Sequence, residues 1–200
     1  MKKIAYLILA HNDPSQLGRL CQALNDDYSD LFIHIDLNQD VQEFKDQVLA
    51  DNVKFLRSRV HVNWGGISMI DAQNLLIEEA LKSRQQYMYF VLLSGSCYPL
   101  KRGKDIHTIL GSDHTKQYIK YIDMRQSKFQ MNKITKKWFY DPIINYSKKG
   151  IVSRIEKRAR KALTRLGLNN HWKENVIPYF GSQWWAMTPE CCESGCPTQL

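Results

Sequence analysis

The sequence predicts an α/β fold built on a mostly parallel sheet flanked by helices. Three observations carry that reading. Apolar runs of strand length alternate with amphipathic runs of helix length through roughly the first hundred residues, a β-α-β-α-β-α-β order. The inner runs are continuously apolar rather than alternating, as strands buried on both faces must be. Several of these runs end in small or polar residues, where open α/β sheets hold their ligands.

Residues 4–10, IAYLILA, form the first apolar strand. DPSQLGRLCQALND then offers Asp13 as a helix cap and Pro14 at the first helical position, with Leu17, Leu20, Cys21 and Leu24 on one face. LFIHIDLN reads as a second strand, VQEFKDQVLAD as a helix and VKFLRS as a short third strand. SMIDAQNLLIEEALKSR is the clearest amphipathic helix, and YMYFVLLSG the fourth and most apolar strand. Beyond residue 105 the pattern loosens into a basic, aromatic stretch, read as an insertion rather than a second domain. The expected organisation is one domain over residues 1–200, with a ligand-binding half at 1–105, a basic insertion at 106–175 and a final part at 176–200.

With 44% hydrophobic and 24% charged residues, the 200-residue chain is not a disordered one. A net charge of +8 favours an anionic partner. Residues 101–173 hold most of the excess. The run Arg154 to Leu163 adds apolar residues at helical spacing, so it reads either as a solvated basic helix or as an interfacial helix on an anionic bilayer. No helix-turn-helix, zinc or RNA-binding signature accompanies the charge, and no nucleic acid is expected as partner. The five cysteines, an odd number without zinc spacing, read as reduced thiols. MKKIAYLILAHND meets His-Asn-Asp-Pro where a cleavage site would need small residues, so it reads as a strand and not a signal peptide. The expected location is therefore cytoplasmic, with the inner face of the membrane as the surface for an interfacial helix.

Four strand ends would share one rim: Ala10-His11-Asn12, His34-Ile35-Asp36, Arg57-Ser58-Arg59 and Ser94-Gly95-Ser96. Asp36 suits a ribose, because a carboxylate can accept from both hydroxyls of a diol; it equally suits the capping of the next turn. There is no GxGxxG and no phosphate-binding P-loop. Nor is there an Asp-x-Asp pair, the nearest stretch being DLN at 36–38, so cationic side chains such as Lys101 and Arg102 would neutralise a bound diphosphate. Trp64 before Gly65-Gly66 offers a flat ring beside bare backbone, or else a core anchor and a turn. In YFGSQWWAMTPE, Trp184 and Trp185 point to opposite faces if the stretch is a strand, one toward the core and one toward a ligand.

LAHND, FIHID, RVHVNWGGISMIDAQ, VLLSGSCYPLK and YFGSQWWAMT, in this order, resemble the core-2/I-branching β-1,6-N-acetylglucosaminyltransferases and the related peptide O-xylosyltransferases. The resemblance covers residues 4 to about 190. It implies a GT-A type fold, Rossmann-like in its nucleotide-sugar-binding half, and inverting transfer from a UDP-sugar to a glycan or glycoconjugate acceptor with no cofactor or metal. It also implies donor contacts at Ala10, Asp36, Val62, Asn63, Trp64, Gln183 and Trp184. His11, Ser94, Gly95, Lys101 and Arg102 would line the crevice or hold phosphate. One branch of the family has an Asp where Gln183 stands, and the other takes its base from a Glu further along. Since the chain stops at Leu200, it reads as a C-terminally truncated copy whose catalytic residue is unknown, with a nucleotide- or glycan-binding fragment as the alternative to an active enzyme.

Overall fold

The computed structural model describes residues 1–63, 65–136, 151–168, 170 and 175–195. Trp64, in the middle of the glycine-containing motif, lies outside the described residues. In chain order the elements are β1 (Lys3–Ala10), α1 (Pro14–Ala23), β2 (Ser29–Ile35), α2 (Val41–Lys45), β3 (Val53–Phe55), α3 (Ser68–Leu81), β4 (Tyr87–Ser94), α4 (Gly103–Gly111), β5 (Tyr118–Asp123), α5 (Lys128–Thr135), α6 (Ile151–Arg165), β6 (Tyr179–Met187) and α7 (Pro189–Gly195).

The six strands lie in the order β3-β2-β1-β4-β6-β5. β1 runs parallel to both β2 and β4, and β2 parallel to β3, whereas β6 is antiparallel to β4. The expected mostly parallel α/β sheet is thus present. β1 explains its own composition: Ile4, Tyr6, Ile8 and Ala10 pack on one face against Leu17, Leu20, Cys21 and Leu24 of the α1 region, while Ala5 and Leu7 pack on the other with Leu76, Ile77 and Ala80 of α3. Successive strand residues alternate faces, and both faces are covered, so every position must be apolar.

Helix α1 starts as the sequence predicts. Asp13, at φ 50°, accepts from the Gln16 amide at 3.0 Å, and Pro14 follows at a position that needs no amide hydrogen. Helix α2 is shorter than VQEFKDQVLAD predicts, ending at Lys45. Its buried anchor is Phe44, and beyond it Val48 and Ala50 reach the core from non-helical backbone. That backbone passes so close to α1 that a Cβ on Gly18 would collide with the Gln47 carbonyl. The close approach, not helical periodicity, sets the course of residues 46–50.

Two compact units divide the chain. The first comprises Met1–Val62, Ile70–Ile119 and Gln183–Leu200, and so holds β1 to β4 and the end of β6 that pairs with β4. It also holds α4, where Ile106 and Leu110 join the core. The second comprises Asn63–Met69 and Lys120–Ser182. Inside it Tyr121 meets Tyr179 edge to face at 5.4 Å, the Lys133 ammonium sits 4.0 Å over the Phe180 ring, and the Asn170 amide donates to the Thr135 carbonyl at 2.7 Å. Gly65, at φ 77°, and the Gly66 amide donating to the Asn63 carbonyl at 2.9 Å form a turn ahead of α3. The first glycine of that motif is therefore required by backbone conformation.

Candidate functional site

Because β1, β2 and β4 are parallel neighbours, their carboxyl ends share one edge of the sheet. Ala10 is the hinge of that edge. Its carbonyl accepts from the Asp36 amide at 2.9 Å, and on its other side the Gly95 amide donates to the Leu9 carbonyl at 2.8 Å. A Cβ on Gly95 would stand 2.7 Å from the Ala10 Cβ and 3.6 Å from Leu17 Cδ1. The small residue in Ser94-Gly95-Ser96 is thus dictated by the neighbouring strand. Ser94 closes the turn, its hydroxyl accepting from the Ser96 amide at 3.2 Å and its carbonyl from the Cys97 amide at 2.9 Å.

Past β3 the chain returns along the end of β2 without forming a strand, and side chains of β2 supply its partners. The Leu56 amide still donates to the Ile33 carbonyl at 2.9 Å, as in a parallel ladder. Next, the Val60 amide donates to His34 Nε2 at 3.0 Å, the Val62 amide to Asp36 Oδ2 at 2.7 Å, and the Leu37 amide to the Val60 carbonyl at 3.1 Å. Arg59 ties the same segment down through Nη1, which donates to the Asp36 carbonyl at 3.3 Å and the Gln39 carbonyl at 3.1 Å.

Asp36 is 5% exposed and centres this network. Oδ1 accepts from the Asn38 amide at 2.9 Å and lies 3.3 Å from His61 Nδ1, which is itself 2.7 Å from the Asn38 side-chain nitrogen. Burial pushes the carboxyl pKa up, but the Val62 and Asn38 amides, with His61 beside them, outweigh burial, and the net shift is downward. The carboxylate therefore stays charged. The Asn38 amide engages Oδ1 and the Val62 amide Oδ2, so each carboxylate oxygen already accepts one backbone hydrogen bond. The capping role of Asp36 is realised, with the Asn38 amide donating to Oδ1 and the Gln39 amide to the Asp36 carbonyl at 3.0 Å closing the turn.

His34 is 1% exposed. Since Nε2 accepts from Val60, the neutral ring carries its proton on Nδ1. Burial lowers its pKa from 6.5, and the neighbouring Asp36 only partly opposes this. The folded state therefore binds this proton less tightly than the unfolded state. The stability contributed is fully present above pH 6.5 and is lost as the pH falls through the depressed folded value. Urea denaturation at pH 7.5 and at pH 5.5 is expected to show a lower midpoint in acid, with a smaller drop in His34→Gln, whose side-chain oxygen can still accept from Val60. Equal drops in both proteins would remove His34 as the cause.

His11 is exposed at the same edge. Gln183 and Trp184 come toward it on β6: Val91 pairs with Ala186 in antiparallel register, so residues before Ala186 run toward the carboxyl end of β4. The two tryptophans face opposite ways, Trp185 at 7% exposure in the core and Trp184 at 40%. Trp185→Ala should accordingly cost roughly 3–5 kcal/mol in chemical denaturation, and Trp184→Ala clearly less. Comparable losses would contradict this orientation.

Lys101 and Arg102 are not brought to the rim. The chain leaves Gly95, passes the Gln16 side chain, which donates to the Cys97 carbonyl at 3.1 Å, and follows α1 to its far end. There Gly103 lies against Asp26, and His107 Nε2 is 2.9 Å from the Lys2 carbonyl, at the amino end of β1. Lys101 and Arg102, immediately before Gly103, belong to that opposite edge. The sheet places the Arg59 guanidinium and the His61 ring near Asp36; the sequence put His34 and Arg59 at the rim only as parts of strand ends and Asn38 only as the place of a missing carboxylate, and it did not single out His61. A signal was present: in HIDLN, polar residues at 34, 36 and 38 recur with strand period at a strand end. Asn63 belongs to the second unit, where its amide donates to Ser68 Oγ at 2.9 Å.

A mostly parallel, six-stranded α/β sheet flanked by helices is consistent with a GT-A-like fold. The chain belongs to the Core-2/I-Branching enzyme family, whose model matches residues 4–194. It is 28% identical over 131 residues to the xylosyltransferase oxt of Drosophila pseudoobscura pseudoobscura, covering 64% of this chain and 15% of that protein. It is also 26% identical over 132 residues to xylosyltransferase 2 of Homo sapiens, covering 64% and 15% respectively. With a xylosyltransferase of Ciona intestinalis it shares 22% identity over 195 residues, 96% of this chain and 21% of that protein. The chain thus spans about a fifth or less of the curated relatives it matches.

Proposed function

We propose that this chain forms the donor-binding part of an inverting glycosyltransferase, which moves N-acetylglucosamine or xylose from a UDP-sugar to a hydroxyl of a glycan or protein. The observation that carries the proposal is the buried Asp36 carboxylate at the carboxyl-end rim, which shapes the 59–62 segment through Val62 and keeps acceptor capacity beyond its two backbone partners for a donor hydroxyl. Arg59 supplies positive charge for the diphosphate, and Trp184 offers an apolar face for a sugar ring. Asn38, two residues after Asp36, stands where a metal-binding pair would need its second carboxylate, which favours transfer without a metal.

Inversion needs a base that takes the acceptor proton as the hydroxyl attacks. Gln183 has no proton-accepting carboxylate, which favours a second reading: a chain that binds nucleotide or glycan but does not turn over. Calorimetric titration with UDP, UDP-xylose and UDP-N-acetylglucosamine, with EDTA and with magnesium, tests the first reading. Saturable binding indifferent to EDTA is expected. A folded sample that binds none of the three overturns it. Sugar release or transfer followed by mass spectrometry then separates enzyme from binder.

A further inference from the structure

The strongest surface feature outside the crevice is α6. Its apolar residues Ile151, Ile155, Ala159 and Ala162, with Leu166 just past its end, are spaced by three or four residues and form one stripe. The stripe faces solvent: Ile151 is 68%, Ile155 59% and Leu166 72% exposed. Arg154, Arg158, Lys161 and Arg165 repeat at the same spacing along its flank, and all four are exposed. The helix is properly ended. The Leu168 amide donates to the Leu163 carbonyl at 3.0 Å and the Gly167 amide to the Thr164 carbonyl at 3.2 Å, with Gly167 at φ 72°, which is a Schellman stop. Leu168, 53% exposed, then extends the apolar side past the end of the helix.

From this arrangement we infer that α6 is an in-plane docking helix for an anionic lipid bilayer. Among the described residues no helix is long and apolar enough to cross a membrane, so the contact is one of lying on the surface. Fifteen residues of helix present about 22 Å of stripe, which can sink into the headgroup boundary while the flanking arginines and lysine meet lipid phosphates. The charge complementarity selects this occupant. Nucleic acid would use the cations but leave the isoleucines and Leu166 in water. A self-pairing of two such stripes would bring the cationic rows together. The inference is independent of the crevice reading, since it uses no residue of the Asp36 network.

Vesicle co-sedimentation of the 200-residue chain tests it, with phosphatidylcholine alone and with added phosphatidylglycerol. Binding is expected to the mixed vesicles and to fall with salt. It should weaken roughly tenfold or more in Ile155→Asp/Leu166→Asp and, separately, in Arg154→Glu/Arg158→Glu/Lys161→Glu. These residues are exposed, and circular dichroism of each variant should match the parent. Equal binding to neutral and mixed vesicles overturns the inference, as does undiminished binding by either variant. So does a wild-type dimer, seen by sedimentation velocity, that Ile155→Asp dissociates, because the stripe would then be a contact between copies.

Discussion

Asp36→Ala is expected to destabilise the chain by about 3 kcal/mol and to weaken UDP binding at least tenfold. The stability estimate follows from leaving the Val62 and Asn38 amides without their acceptor in a poorly hydrated place, at roughly 1–3 kcal/mol for each unsatisfied group. The binding loss follows from freeing residues 59–62, which Asp36 holds through Val62. Asp36→Asn should rescue little. Both carboxylate oxygens accept from backbone amides, so one of them would be replaced by a nitrogen that can only donate. Urea denaturation and calorimetry of the two variants read the separate parts of the claim. If Asp36→Asn matched the parent in both, the carboxylate would not be organising this segment.

The second large effect lies across the rim. Gly95→Ala places a methyl 2.7 Å from the Ala10 Cβ, which is fixed to a central strand and cannot rotate away. The overpacking should cost about 2 kcal/mol, and Gly95→Val more. The relief is specific: Ala10→Gly combined with Gly95→Ala should recover most of the loss, a coupling that a double-mutant cycle measures directly. An additive double mutant would mean that Gly95 matters for another reason, such as contact with a ligand.

These two positions also show how much of the molecule was legible in the sequence. The strands, α1 with its Asp13 cap, and the opposite orientations of Trp184 and Trp185 follow from local periodicity and capping, which are properties of neighbouring residues. The partners of those elements are not. Gly95 reads equally well as a ligand-facing glycine until Ala10 is seen beside it. Lys101 and Arg102 look near the crevice because they follow the Ser94-Gly95-Ser96 turn. The chain nevertheless uses the length of α1 to carry them to the other edge. Asp36 was visible as a site residue, but its hydrogen bond to the Val62 amide, more than twenty residues away, was not. Arg59 stood at the rim only as the end of a short strand and His61 was missed, because nothing local distinguishes them from other basic residues in a basic chain.

The measurement that bears most directly on the central claim, a donor crevice organised by Asp36 at the carboxyl ends of the strands, is amide hydrogen exchange of the chain with and without saturating UDP. The account predicts added protection at Leu37, Asn38, Val60 and Val62, with Gly103 and the start of α4 unchanged. Protection confined to the α4 edge, where Lys101 and Arg102 stand, or UDP binding that leaves the Asp36 network as exchangeable as before, would contradict it.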